Sequence, residues 1–238
     1  MRHLDLVLQN RNTTRLYAAL AVKIHACLMA RAAPAVADKM HAQGLRPYSM
    51  FALKQAQSIA FRFSLLHEDA MPLYESARDA KLFDVSGLDG GIAVLERVES
   101  SDVPVSELRS PIKDRVKVLF ATPAAYKRAD RYHNMFDLPP LLYSVADKLR
   151  LFEGVDVPNE EVDALRSCVA YNKYSLRSEQ YCLKEGLEIP AFVGEMDIRC
   201  EGTTEQNSTF ALLLRYAAYA GVGAKTALGM GGILVDET

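Results

Sequence analysis

The spacing of hydrophobic and polar residues predicts alternating strands and helices along the N-terminal half of the chain. Residues 4–9 alternate apolar and polar positions, as a half-buried strand does. Cap residues at 12–14 precede apolar residues at helical spacing, so we expect a helix that begins there and breaks near Arg31. A second helical piece starts at Pro34 and ends near His41. Three further strands and one helix complete the series, with strands at 48–53, 59–66 and 92–98 and the helix at 69–83.

The order β-α-β-β-α-β is that of a ferredoxin-like unit, and the C-terminal half repeats it with two inserted helices. Residues 101–111 contain two prolines and are typical of a linker. Beyond them the pattern predicts strands at 116–120, 174–183, 191–200 and 232–235, and helices at 140–151, 159–170 and 210–220. The sequence therefore predicts an α+β fold made of two tandem ferredoxin-like (RRM-like) domains, residues 1–105 and 112–238.

The composition of the chain shows a local basic patch. The 238-residue chain is half hydrophobic, enough for a substantial core, and its formal net charge of −2 argues weakly against a nucleic-acid binder. The charge is unevenly distributed, because residues 113–133 contain six basic and two acidic residues, whereas residues 153–163 contain five acids and no base. A local basic patch matters more for RNA contact than the total charge. A solvated surface loop is the alternative interpretation.

The spacing of the cysteines and the lack of a targeting segment indicate the cellular compartment in which we expect this protein. The four cysteines are far apart and form no C-x-x-C pair, which excludes a zinc ribbon and is typical of reduced thiols. The N-terminus lacks the apolar core of a signal peptide, and no apolar run reaches transmembrane length. We therefore expect a soluble, cytoplasmic protein without a membrane partner.

The most unusual segment spans residues 221–232, with five glycines around Lys225 and Thr226. Glycine permits left-handed backbone and close approach, so successive N–H groups, a lysine and a hydroxyl suit a phosphate. A P-loop does not fit because Ala224 precedes Lys225 and no helix is predicted afterwards. A dinucleotide fold does not fit because only six residues follow Gly232. We expect no nucleotide cofactor; a polymeric phosphate chain fits, and a helix C-cap with a tight turn is the alternative.

Four segments together carry a family resemblance. They are Gly221-x-Gly223-x-Lys225-Thr226-x-x-Gly229-x-Gly231, His41-x-x-Gly44-x-Arg46-Pro47-Tyr48-Ser49, Thr122-Pro123-Ala124-Ala125-Tyr126-Lys127-Arg128, and Gly194-Glu195. Taken together, they resemble the CRISPR-associated endoribonucleases that cut precursor CRISPR RNA, within the superfamily of repeat-associated RNA-binding proteins with ferredoxin-like domains. The match runs from the first strand to the last loop in the expected order.

The resemblance implies an endoribonuclease that cuts within each CRISPR repeat without a metal or cofactor and produces mature guide RNAs. In that reaction the ribose 2′-OH attacks its own phosphate and leaves a 2′,3′-cyclic phosphate and a 5′-OH. The reaction needs a base, an acid and cations for the transition state. The sequence has no acidic cluster with metal-ligand spacing, which is compatible with this scheme. A non-catalytic RNA-binding subunit of a CRISPR surveillance complex with the same fold stays open as the alternative.

His41 and His25 are the candidate catalytic residues. His41 is predicted in the last turn of its helix, where the helix dipole favours an imidazolium suited to general-acid catalysis. Hydrogen bonding to the final carbonyls is the alternative role, but the resemblance implies that the family's catalytic histidine occupies this position. His25 shares a helix face with Val22 and Met29, as a packed or surface histidine does. The resemblance puts His25 roughly where some members carry a second catalytic side chain, often tyrosine.

Lys225 is the candidate phosphate ligand or transition-state cation, with a solvated loop lysine as the alternative. The other candidate RNA contacts are the rest of the glycine-rich segment and four basic residues: Gly221, Gly223, Thr226, Gly229, Gly231, Arg46, Lys127, Arg128 and Arg131. We expect precursor CRISPR RNA as the partner. Association with other subunits of a CRISPR effector complex and formation of a homodimer stay open.

Overall fold

The computed structural model describes residues 1–8, 17–41, 44–54, 59–85, 92–184 and 187–237. The elements of the N-terminal domain are β1 (Arg2–Leu8), α1 (Tyr17–Arg31), α2 (Pro34–His41), β2 (Tyr48–Lys54), β3 (Ile59–Leu65), α3 (Met71–Arg78), β4 (Leu82–Asp84) and β5 (Ile92–Asp102). They form a sheet in the order β2-β3-β1-β5-β4, in which β1 lies antiparallel to both β3 and β5. Apart from the short edge strand β4, this is the predicted ferredoxin-like arrangement.

The C-terminal domain repeats the same strand order. Its elements are β6 (Val116–Ala124), β7 (Tyr126–Arg128), β8 (Arg131–His133), α4 (Leu138–Glu153), α5 (Asn159–Cys168), β9 (Val169–Lys184), β10 (Leu187–Cys200), α6 (Thr204–Ala220) and β11 (Ile233–Glu237). The main sheet has the order β11-β6-β10-β9, and β7 and β8 form a separate hairpin. The predicted α+β class with two tandem ferredoxin-like sheets is thus confirmed.

Alternating side chains of β1 bury one face of the N-terminal sheet beneath the helices. Leu4, Leu6 and Leu8 point to one face and are buried beneath the helices, packed with Leu20 and Ile24 of α1. These two helix residues lie four apart on one face, as their spacing predicts.

The predicted start of this helix at 12–14 lies outside the described residues, and so does the turn expected at 87–91.

Two predicted segments, the helix at 69–83 and the linker at 101–111, differ from the structure. The helix expected over 69–83 is a short 3-10 turn at Glu68–Ala70 followed by α3, which ends at Arg78. The remainder turns back and pairs as β4 with β5, because this buries Phe83 completely. The linker expected over 101–111 begins inside β5 and then forms a 3-10 turn at Val105–Arg109 that buries Leu108. In both places tertiary burial outweighs the local pattern.

The two domains meet through the second face of the N-terminal sheet. An apolar cluster joins both sheets there, made of Val7, Phe51, Leu53 and Ala60 with Ala121 and Leu234 packed against it. Beside it Arg62 makes two 2.7 Å hydrogen bonds to the carboxylate of Asp5. The hydroxyl of Ser49 in β2 donates to the carbonyl oxygen of Tyr219 in α6. The end of α6, where the glycine-rich segment begins, is therefore fixed against the N-terminal domain.

In the part of the chain that the structure describes, no helix combines the length and the apolar character that a bilayer crossing requires. Within the same residues, no group of three or more His, Cys, Asp or Glu side chains is placed to hold a metal ion.

Candidate functional site

The glycine-rich loop, residues 221–232, leaves helix α6 and leads into the last strand. Thr203 and Gln206 form a capping box at the start of α6, and the N–H of Gly221 still donates to Ala217 at its end. Four of the loop's glycines have positive φ, between 66° and 96°. Lys225 also adopts the left-handed conformation, with φ of 58°. These dihedrals reverse the chain repeatedly, so the loop folds onto itself instead of extending into solvent.

Most loop N–H groups donate to the protein itself. Val222 bonds to Gly231 O at 2.8 Å and Gly223 to the hydroxyl of Ser144 at 2.7 Å. Further bonds of 2.8 Å run from Ala224 N to Ala125 O, from Gly231 N to Pro123 O, and from Gly232 N to the hydroxyl of Thr122. The expectation that successive glycine N–H groups converge on one anion is therefore wrong for these donors. Their role is to give the loop one fixed shape.

The glycines are needed because the loop approaches other backbone and side chains closely. A Cβ at Gly223 would overlap the carbonyl oxygen of Ala125, and one at Gly231 would overlap that of Val222. A Cβ at Gly229 would overlap Ala21 of α1, and one at Gly232 would overlap the ring of Phe51 in β2. The loop is thus held between the C-terminal domain and the N-terminal domain.

Lys148 anchors the start of the loop from the inside. This lysine of α4 is 2% exposed, and its Nζ donates to Ala220 O at 2.7 Å, Gly221 O at 3.3 Å and Thr226 Oγ1 at 2.8 Å. Burial lowers the pKa of its ammonium group from 10.5 to about 7. The two carbonyls are the ones that the end of α6 leaves without helical partners, so Lys148 acts as an internal cap.

The sequence reasoning missed Lys148, although a signal was present. Lys148 follows Leu141 and Val145 at spacings of seven and three, so it belongs to the apolar face of α4. A lysine on such a face needs buried carbonyl or hydroxyl partners. The structure also gives Thr226 an inward position, because it is 6% exposed and its hydroxyl accepts from Lys148. Lys225, next to it, is exposed.

The predicted basic segment forms a hairpin beside the loop. Strands β7 and β8 are joined by Ala129 and Asp130, both with positive φ, at 47° and 61°. Three exposed cations lie on this hairpin, Lys127, Arg128 and Arg131. Lys127 makes a 2.8 Å ion pair with Asp130. The hairpin starts directly after Ala125, whose carbonyl accepts from the loop, so these cations and the glycine-rich loop are neighbours.

Helix α1 and strand β2 form the wall of the site on the N-terminal domain. Ala21 contacts the loop at Gly229, and His25 lies one turn further along α1. The Nε2 atom of His25 lies 2.9 Å from the hydroxyl of Tyr48, and the two rings stack at 6.2 Å. Burial raises the pKa of Tyr48 to about 12, and the nearby Arg46 opposes this rise. The sequence analysis did not select Tyr48, although it lies in one of the four resemblance segments.

The remaining histidines are placed differently. His41 is the last residue of α2, as predicted, while its side chain lies outside the part that the structure describes. His133 stacks on Tyr126 across the hairpin at 5.3 Å. His67 accepts a hydrogen bond from the N–H of Asp69 at 3.3 Å, and His3 lies 3.1 Å from the hydroxyl of Ser101. The structure therefore places His25 on the wall of the site that helix α1 and strand β2 form.

Comparisons with known proteins find similarity to one family over the part of the chain that contains the loop. Residues 118–233, which include the basic hairpin and the whole glycine-rich loop, match the family model of the CRISPR-associated endoribonuclease Cas6. A Cas6 endoribonuclease of Streptococcus thermophilus is 26% identical over 230 residues, which cover 92% of both chains. A Cas6 endoribonuclease of Mycobacterium tuberculosis is 25% identical over 232 residues, which cover 92% of this chain and 72% of the relative.

Solved structures of Cas6 proteins have a fold similar to that of this chain. A Cas6 product complex matches with a TM-score of 0.79 at 22% identity, covering 99% of this chain and 100% of that one. Thermus thermophilus Cas6 matches with a TM-score of 0.74 at 22% identity, covering 99% and 98%. The fold is thus that of a tandem ferredoxin-like protein, and it is similar to the folds of the solved Cas6 structures. The predicted resemblance is confirmed, because the chain is similar to the Cas6 endoribonucleases in both comparisons of sequence.

Proposed function

We propose that the chain is a metal-independent endoribonuclease that cuts CRISPR repeat RNA by attack of the ribose 2′-OH on the adjacent phosphate. The products carry a 2′,3′-cyclic phosphate and a 5′-OH, and the shortened RNAs serve as mature guides. One observation carries the proposal: the glycine-rich loop packs at Gly229 against Ala21, one helical turn from His25. A phosphate bound at the loop is then close to a side chain that exchanges protons near neutral pH.

The proposed reaction moves two protons. A base takes the proton of the 2′-OH as its oxygen bonds to phosphorus, and the bond from phosphorus to the 5′-oxygen breaks. An acid then supplies the proton of the new 5′-OH. His41 is the proposed acid because it ends α2, where the helix dipole favours the imidazolium. His25, oriented by its 2.9 Å contact with Tyr48, is the candidate base, and Lys225 is the cation for the negative charge that builds on the phosphate.

The basic hairpin supplies the proposed contacts to the RNA backbone. Lys127, Arg128 and Arg131 are exposed on it, next to the loop. The exposed ion pair of Lys127 with Asp130 is weak enough to be exchanged for a phosphate contact. Solved Cas6 proteins of similar fold include a product complex and a substrate-mimic complex. This supports repeat RNA as the ligand of the present chain.

The test is cleavage of a CRISPR repeat RNA with and without EDTA, followed by mapping of the product ends. We expect cutting in EDTA, a 3′ fragment with a free 5′-OH, and a 5′ fragment whose cyclic phosphate opens in acid. His41→Ala should slow cleavage by about 10²- to 10⁴-fold while RNA affinity stays within a factor of about two. Loss of activity in EDTA would refute the metal-independent mechanism.

The same experiment separates the catalytic from the non-catalytic function. A pure protein that binds the repeat tightly but cuts no cognate RNA would be an RNA-binding subunit of a surveillance complex. A related Cas6 fold occurs in a partial Cas6-RT-Cas1–Cas2 complex. Association of this chain with other effector subunits, or with a second copy, is accordingly tested by size-exclusion chromatography of the protein with and without its RNA.

A further inference from the structure

A groove of about 800 Å³ opens in the C-terminal domain beside strands β9 and β10. Its floor is Phe192 and Met196 of β10, and its walls are formed by the segment before α4 and by β9. Aromatic rings dominate the lining: Phe136 meets the ring of Tyr171 edge-on at 5.9 Å and that of Phe192 at 6.0 Å. The volume is typical of a site for a small ligand or for one part of a larger one.

Three large side chains of this groove are exposed to solvent together. Met135 is 78% exposed, Tyr174 is 69% exposed and Tyr171 is 41% exposed. Single exposed apolar residues need no explanation, but a contiguous patch on a folded domain marks a binding surface. The groove is therefore a candidate interaction site separate from the glycine-rich loop.

The chemistry of the rim favours unpaired nucleotides over an apolar partner. Arg166 and Arg177 border the aromatic floor, and the amide of Asn134 and the hydroxyl of Ser178 provide hydrogen-bonding groups. Unpaired bases are recognised by this combination, in which rings stack on base faces and polar groups meet base edges. The arginines pair with Asp137 at 3.1 Å and Glu179 at 3.3 Å, and such exposed pairs exchange readily for phosphate.

The groove is also continuous with the basic hairpin. Asn134 follows β8 directly, and its amide nitrogen donates to the Ser178 hydroxyl of β9 at 3.3 Å. An RNA strand that leaves Lys127, Arg128 and Arg131 therefore meets the groove next, without crossing another element. This continuity with the proposed RNA contact distinguishes the groove from an isolated apolar patch.

We infer that this groove binds unpaired nucleotides of the RNA, which stack on Tyr174 and Tyr171 while Arg166 and Arg177 contact the phosphates. The inference rests on the proposed function, because the hairpin must first hold the RNA. The groove would then add affinity for a single-stranded flank of the repeat, at a distance from the atoms that react.

The test uses the absence of tryptophan from the chain. In the full-length variant Tyr174→Trp, the only indole lies in the groove, and a short single-stranded oligoadenylate should quench its fluorescence in a saturable manner. The matched control is Leu82→Trp, since Leu82 is 44% exposed on β4 of the other domain, and its fluorescence should not change. A second variant, Tyr174→Ala, should bind oligoadenylate about tenfold more weakly with unchanged thermal stability.

The outcomes distinguish this inference from the proposed function. If repeat RNA binds and is cut, but the indole at position 174 is not quenched and Tyr174→Ala binds oligoadenylate normally, the groove is not an RNA site. That result would overturn the inference about the groove and leave the endoribonuclease proposal intact. If labelled repeat RNA does not bind the wild-type chain at all, both proposals fail.

Discussion

Lys148 makes the stability of this protein depend on pH in a way that can be calculated. Its pKa is lowered by burial from 10.5 to about 7 in the folded state. Between these two values the unfolded chain binds a proton that the folded chain does not, so the free energy of unfolding rises with pH. The slope is at most about 1.4 kcal/mol per pH unit, and the total is at most about 5 kcal/mol.

The perturbation is Lys148→Met, which keeps the length of the side chain and removes its titration. The variant also leaves two carbonyls and the Thr226 hydroxyl without a donor, which costs about 1–3 kcal/mol. We therefore expect the stability of wild type relative to the variant to increase steadily as pH rises from about 7 to 10. Other groups that titrate in this range, such as the Cys168 thiol, cancel in the comparison.

The assay is urea unfolding of both proteins at several pH values between about 7 and 10, with Lys113→Met as the control. Lys113 is exposed, so its replacement should leave the pH slope unchanged. Parallel stability curves for wild type and Lys148→Met would refute the reasoning, because they would mean that Lys148 keeps its proton when the protein folds.

Three further predictions concern the loop, the hairpin and the wall of the site. Gly231→Ala should destabilise the protein by about 3 kcal/mol or more in thermal unfolding, because the new Cβ would overlap the backbone of Val222. The control is Gly154→Ala, which has the same φ of 66° and no neighbour within 4 Å of the new Cβ. This control should lose only about 1 kcal/mol of stability. Replacing Lys127, Arg128 and Arg131 by alanine should weaken RNA binding and reduce the slope of the logarithm of the binding constant against the logarithm of the salt concentration by about 2. The control Arg150→Ala should leave that slope unchanged. An unchanged slope in the triple variant would show that the hairpin does not contact the RNA. Tyr48→Phe removes the 2.9 Å contact to His25 and should lower the cleavage rate and shift its pH profile, with RNA affinity unchanged. Identical pH profiles would show that the Tyr48 hydroxyl does not act on the reaction through His25.

Much of the fold could be predicted because its signals are local. Pro34 at the start of α2 and the apolar spacing of Leu20 and Ile24 act within a few residues, so the pattern alone located these elements. Strand β4 escaped prediction because it has three residues, and its pairing with β5 is set by the burial of Phe83. The hairpin of β7 and β8 escaped because Ala129 and Asp130 form its turn without glycine or asparagine.

The glycine-rich loop could be predicted from the sequence, but the contacts that hold it could not. Glycine spacing identified the loop, yet it could not show that Ser144, Ala125 and Thr122 accept its N–H groups. These acceptors come from distant parts of the chain, and nothing in a sequence pattern links them. Lys148 shows the same limit, because its three partners lie more than seventy residues away along the chain.

The contact of the loop with the first domain has a consequence for how this protein can be divided. Ala227 of the loop packs in the buried core of the N-terminal domain, in the same cluster as Leu20 and Ile24. A fragment that ends between the domains would therefore lack one wall of its own core, and the complementary fragment would expose the loop that fills it. The two ferredoxin-like units have separate sheets, yet they should unfold in a single cooperative transition because the loop belongs to the core of the first.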